Sequence, residues 1–379
     1  MANIPEDILH LCILPRLPVK SVIRFKCVSK SWQTLISSPN FIRLHHCHTQ
    51  SSDTNRLIIS ANPDSTYFHI YNLDSLLDPP SIFPYPITEI LNFRVHAIIV
   101  TSCGFFLLIQ IRRYRKSNKL ILLNPSTRSY HLIPSQNLPH DCLSVKFGLY
   151  LDEDNDDYKI VRISSTDHPQ DRYTWETMIY SFKTNSWRLI ETKVKSAMFY
   201  TGNLTAFVVN NLLHIFVSAT NRSIKTVRIG CFDIRAEQWT NDIALPNYNL
   251  DEYSLHVLDG SICVIGDEYE IPGIYSVWVM KDDWVKLMST RLHYFRYNQY
   301  YPITYRPGSR HELLCKRNGH SGFYWYDLQD KVGRYAASYN DAYARGRYCI
   351  EHVCKGSLIT FANKLQIPFR NNIYNNEYT

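Results

Sequence analysis

Nothing in these 379 residues is apolar for long enough to cross a bilayer as a helix. The longest apolar run, AIIVTSCGFFLLIQI at 97–111, is broken by Thr, Ser, Gly and Gln and falls short of the ~20 residues a spanning helix needs. The chain does not open on a cationic stretch, an apolar core and a cleavage site, so no secretory leader is expected. Ten cysteines are scattered with no CxxC pair. That argues against a disulfide framework and for reduced thiols in the cytoplasm and/or nucleus. The glycosylation sequons at Asn203 and Asn221 are then chance matches. There is no GxSxG, no phosphate-binding P-loop and no HExxH, so no enzymatic centre and no cofactor are expected.

What is present is ordinary globular composition with an excess of rings. Hydrophobic residues make up 45% and charged residues 20%, with 27 Tyr, 17 Phe and 7 Trp, a balance that favours strands. The net charge of +7 is uneven. Both ends are basic, and the middle, 49–288, carries more acids than bases.

The hydrophobic period changes once. From Pro5 to about Leu44 it is helical: Val22, Phe25, Val28, Trp32 and Leu35 recur in steps of three and four. Pro18 suits the first turn of a helix, Ser29 can cap another, and Pro39 closes the set. Two or three short helices of this size cannot bury a core alone and call for a partner surface. After residue 55 the chain reads as short strands and turns. Strand-turn-strand units recur as LLNPSTRSYHLIP (122–134), IYSFKTNSWRLIE (179–191), CFDIRAEQWTNDI (231–243), VWVMKDDWVKL (277–287) and, more weakly, WYDLQDKVGRYAA (325–337). From Tyr130 through Trp187 and Trp239 to Trp284 the steps are 57, 52 and 45. Units of about 40 to 50 residues with four short strands are propeller blades; an irregular sandwich is the alternative. KGSLITFA (355–362) is expected to supply a late strand that closes the ring.

Three clusters invite sharper readings. His45, His46, Cys47 and His48 are ligand types, but structural zinc wants two separated pairs, so no metal is expected. DEDNDD (152–157) resembles a calcium loop, yet it lacks glycine at the sixth position and has Ile163 where the closing Glu belongs. A charged hairpin turn is expected there. HYFRYNQYYPITYRPGSR (293–310) interleaves Tyr with Arg. It is read first as strand faces with a basic loop, then as a contact for an acidic or phosphorylated substrate through Arg296, Arg306 and Arg310, and last as a platform for single-stranded RNA.

The segment IPEDILHLCILPRLPVKSVIRFKCVSKSWQTLISSPNFIRLHH closely resembles the F-box of plant F-box proteins. LLNPSTRSYHLIP, FGLYLDEDNDDYKIVRI, YSFKTNSWRLI, LTAFVVNNLLHIF and VWVMKDDWVKL resemble the F-box-associated domain joined to such F-boxes, among which self-incompatibility receptors are one subgroup. The resemblance implies a small all-α F-box at 1–48, a connection with the first strands at 49–99, and a large all-β, propeller-like domain at 100–379. It implies a non-catalytic receptor that docks on a Skp-type adaptor, through it on a cullin, and holds an unidentified protein substrate for ubiquitination. Neither a membrane nor nucleic acid is an expected partner. The residues it places at adaptor or packing positions are Pro5, Ile8, Leu17, Pro18, Val22, Val28 and Trp32. One residue more than the usual pattern falls between Pro5 and Leu17, near Cys12 and Pro15. A bulge must absorb it, or the first helix must end early.

Overall fold

In the computed structural model the architecture changes where the hydrophobic period does. It describes residues 5–361, apart from 52–55, 62–66, 85–95, 114–115, 137–141, 156, 167–173, 191–197, 200–205, 222–223, 247–252, 268–273, 292–299, 318–321, 339–350 and 360.

The extra residue near Cys12 is absorbed by a bulge. Helix α1 (Glu6–Ile8) runs into a π-helical turn, Leu9–Ile13, and then a 3-10 turn, Leu14–Arg16. The Leu14 amide donates to the Leu9 carbonyl, one residue further back than an α-helix would reach. Leu14 and Pro15 are thereby brought to the buried side, and Ile8 and Leu11 stay outside. Helix α2 (Val19–Phe25) follows Pro18, whose carbonyl accepts from the Ser21 and Val22 amides. Helix α3 (Lys30–Ser37) is capped by Ser29, whose hydroxyl accepts from the Trp32 amide at 3.2 Å. The stripe from Val22 to Leu35 therefore lies on two helices. The turn between them throws Val28 out to 62% exposure, while Val22 is fully buried. Pro39 does not close the set. It is the first residue of α4 (Pro39–Ser51), where a missing N–H costs little, and Ser38 caps that helix by accepting from the Phe41 amide.

Six antiparallel sheets follow, arranged as the blades of a propeller. Blade 1 is His96–Cys103, Phe106–Arg113, Lys116–Asn124 and Ser129–Ile133. Blade 2 is Cys142–Asp152, Asp157–Thr166, Thr174–Ser181 and Ser186–Ile190. Blade 3 has Met198–Phe199 and Phe207–Val209 inside, then Leu212–Asn221 and Ile224–Asp233, with Gln238–Trp239 and Ile243–Ala244 outside. Blade 4 is Ser254–Leu258, Ser261–Asp267, Ile274–Met280 and Trp284–Arg291; blade 5 is Tyr300–Tyr305, Glu312–Arg317, Gly322–Asp327 and Val332–Ser338. Blade 6 joins the two ends of the propeller. Its inner strand, Glu351–Lys355, pairs from Lys355↔Arg56 to Glu351↔Ser60 with Arg56–Ala61, which is followed by Tyr67–Asn72 and Ser81–Pro84. The closing strand thus ends where KGSLITFA begins, and residues 356–359 run on without strand pairing.

The repeats seen in the sequence are the outer hairpins of blades 1 to 5, and in four of them turn chemistry explains the pattern. Asn124, Ser181, Asp233 and Asp327 accept from backbone amides in the turns that follow them. Four residues later the backbone takes a positive φ at Arg128, Asn185, Glu237 and Lys331, which turns the chain into the outer strand. The aromatic side chains that follow stitch one blade to the previous one. Trp187 donates from its indole to the Pro134 carbonyl, and Trp284 to that of Ala244. Apolar clusters fill each blade interface. Phe68 and Phe83 meet Leu107 and Leu123 across blades 6 and 1, and Leu314 and Phe323 meet Ile58 and Tyr71 across blades 5 and 6.

Candidate functional site

The helical unit sits on one face of the ring. His46 on α4 meets Phe105 edge-on, with centroids 5.0 Å apart, at the turn between the first two strands of blade 1. Lys355 donates from its amide to the Gly104 carbonyl in that same turn, and from Nζ to the Thr49 carbonyl at 3.5 Å. Strands alternate in direction, so this face carries the tight turns between first and second and between third and fourth strands. The strand ends leading into 85–95, 167–173, 268–273, 292–299 and 339–350 lie on the other face.

The helical core consists of Leu14, Val19, Val22, Ile36 and Phe41, joined by Leu358 from the far end of the chain. His45 ties it together internally. This buried ring contacts the Leu17 carbonyl through Nε2 at 3.1 Å and the Thr49 hydroxyl through Nδ1 at 3.3 Å. Of the residues expected to meet an adaptor, Pro5, Ile8, Pro18 and Val28 are exposed, Leu17 and Trp32 are half-buried, and Val22 has no exposed surface. Val22 is therefore a packing residue with no face left for a partner. Leu11, at 60% exposure, joins Ile8 and Val28 as a large apolar side chain that the described chain leaves uncovered. The sequence could not single it out while the register across the extra residue was open. Lys26 is half-buried, and burial lowers its pKa.

Of the three arginines of the Tyr/Arg segment, Arg306 and Arg310 fall among the described residues. Arg306 and Arg310 follow the end of the inner strand of blade 5, on the helical side of the ring, whereas Arg296 belongs to 292–299, which leads into that strand's start and lies outside the described residues. Arg306 is engaged internally: Nη1 donates to Glu312 Oε2 at 2.9 Å, and its guanidinium lies 5.3 Å from the Trp325 ring centroid. In the acidic turn Asp152 accepts from the Asn155 amide and pairs with Lys159; Asp156 and the sequon at Asn203 lie outside the described residues. Among the described residues no three His, Cys, Asp or Glu side chains converge as metal ligands.

Burial also sets the charge state of several histidines. It drives His214 and His352 down to about 4, partly opposed in each case by backbone hydrogen bonds, and His256 to about 4 as well. His45 is lowered by burial too. The unfolded chain binds these protons near pH 6.5 and the folded chain resists them. Stability is thus fully present above about pH 6.5 and falls as pH drops towards 4. His214 and His352, both 3% exposed, should each cost roughly 2 kcal/mol at pH 5; His256 keeps some accessible surface and should count for less. Thermal melting should shift down markedly between pH 7.5 and pH 5, and less so in a His352→Gln variant that melts normally at pH 7.5. A pH-independent melting temperature across that range would refute the assignment.

Family models match both parts of the chain: the F-box domain at residues 1–44 and the F-box associated beta propeller domain at residues 58–309. This chain is an F-box protein with an F-box-associated propeller. F-box protein CPR1 of Arabidopsis thaliana is 29% identical over 368 residues, covering 87% of this chain and 83% of its own length. F-box protein At4g22390 of the same plant is 24% identical, covering 87% and 85%. Among solved structures the Dos1 propeller aligns at a TM-score of 0.36 and 12% identity, covering 79% of this chain and 74% of that one, a score too low to carry an argument. The F-box is thus the helical unit with uncovered Ile8, Leu11 and Val28, and the associated domain is the six-bladed ring beneath it.

Proposed function

We propose that this F-box protein is the substrate-recognition subunit of a Skp-cullin-F-box ubiquitin ligase, working in the cytoplasm and/or nucleus, and that it catalyses no bond change itself. The observation that carries the reading is the separation of two surfaces. The F-box, with its uncovered apolar side chains, is anchored on the tight-turn face of the propeller. The strand ends that lead into the longer connections lie on the opposite face, where sequence can vary without disturbing the blade interfaces. A Skp-type adaptor would cover the first surface and a protein substrate would meet the second. The contribution to rate is proximity: a target lysine held near a charged conjugating enzyme reacts at high effective concentration.

The test is affinity purification of the tagged full chain from plant cells. A Skp-type adaptor and a cullin should co-purify, together with a protein whose half-life lengthens when the F-box is disabled. Recovery of neither adaptor nor cullin, with salt-sensitive retention of RNA instead, would overturn the ligase reading and favour an RNA-binding role for the Tyr/Arg segment.

A further inference from the structure

We propose that residues 356–359 with Phe361, after the closing strand, form a strap that completes the F-box core and fixes its direction relative to the propeller, with Asn124 as the clasp and Leu358 as the positioning residue. The proposal rests on the F-box being the adaptor-binding end and concerns how that end is held.

Leaving blade 6 at Lys355, the chain crosses the tight-turn face of blade 1, and Gly356, Ser357 and Leu358 are all buried. Polar contacts pin it to the Asn-Pro-Ser-Thr turn. Asn124 Nδ2 donates to the Ser357 carbonyl at 3.3 Å and the Ile359 carbonyl at 2.7 Å. Thr127 donates to the Ile359 carbonyl at 3.2 Å, and Ser126 Oγ accepts from the Ser357 amide at 3.2 Å. Side chains then divide between two sides, as in any extended segment. Ile359 and Phe361 face the propeller, Phe361 stacking on Phe106 at 4.8 Å and lying 5.3 Å from Phe182 between blades 1 and 2. Leu358 faces the other way, into Leu14, Val19, Val22, Ile36 and Phe41, and is 3% exposed.

The residue type at the clasp suits this task. The equivalent turns of blades 3 and 5 use Asp233 and Asp327, which accept from local amides. A carboxylate cannot donate to two carbonyls, but an amide can accept and donate together. Asn124 does both, because its Oδ1 also accepts from the Ser126 amide at 2.9 Å. The turn that reads as one repeat among several is therefore the seat of the strap.

The experiment uses the full chain and two readouts that need no adaptor. Amide hydrogen exchange reports opening of α2 to α4. Energy transfer between fluorophores on exposed Gln33 and Asp282 reports the direction of the F-box. Leu358→Ala should lower protection in α2 to α4 about thirtyfold or more and broaden the transfer distribution, with the strands of blades 3 to 5 unchanged. Asn124→Asp, which keeps shape and removes the donor, should broaden the distribution while its F-box core stays in place. Wild-type protection in α2 to α4 for Leu358→Ala, or a wild-type transfer distribution for both variants, would overturn the proposal. Both measurements decide the strap independently of whether the chain captures a Skp-type adaptor.

Discussion

A chain ending at Asp341 should lose its cooperative thermal transition and go into aggregates. The cut removes Glu351–Lys355, the inner strand of blade 6, and with it all the pairing of Arg56–Ala61 on that side. The exposed strand, RLIISA, is apolar and rich in β-branched residues, the sort of edge that recruits other chains. The cluster between blades 6 and 1 also loses Cys354, which is 2% exposed, and the F-box loses Leu358. A domain stability of about 5 to 15 kcal/mol does not survive the loss of a buried strand. Size-exclusion chromatography and calorimetry of the truncated chain provide the check. A monomeric species with a single sharp transition would mean that the ring does not depend on its last strand.

Replacing Ile8 and Val28 together by Asp should abolish capture of a Skp-type adaptor while leaving the melting temperature within about a degree or two. Both side chains are largely exposed, at 48% and 62%, so the folded chain tolerates the change. A buried charge in the complex would not be tolerated, and anchors of this kind carry about 2 kcal/mol or more each, which predicts a loss in affinity above a hundredfold. Val22→Ala acts differently: it hollows the F-box core and lowers stability first. Lys30→Ala, on an exposed position, should cost well under ~1 kcal/mol. Adaptor titration of the four proteins separates the cases. Unchanged affinity in the double variant would place the adaptor elsewhere on the chain.

Much of the fold could be read because its information is local. An amide-capping side chain, a turn residue with positive φ and an aromatic two positions later repeat along the chain, and each is fixed by neighbours in sequence. The sixth outer hairpin, Tyr67–Asn72 with Ser81–Pro84, is joined through a 3-10 turn at Leu73–Ser75; it keeps the amide-capping side chain, Asn72, but lacks the positive φ that follows in blades 1, 2, 3 and 5, and could not be read. The F-box was legible as a motif but not as a surface. Val22 and Val28 share one helical stripe, and only the turn at Lys26–Ser29 makes one of them core and the other exposed. The extra residue near Cys12 could be placed only by a backbone hydrogen bond that periodicity does not encode. Leu358 lies some three hundred residues from the core it completes and belongs to no period. For the Tyr/Arg segment nearness in sequence does not fix nearness in space, because the strand Tyr300–Tyr305 separates Arg306 and Arg310 from 292–299.

Blade 6 takes strands from both ends of the propeller sequence, and this places a constraint on synthesis. The ribosome makes Arg56–Ala61 first and its inner partner, Glu351–Lys355, nearly three hundred residues later. At about 5 to 20 residues per second the interval is roughly 15 to 60 s, far longer than a hairpin needs to form. Throughout that time the nascent chain carries an open apolar edge, and co-expression of a holding chaperone should raise its yield.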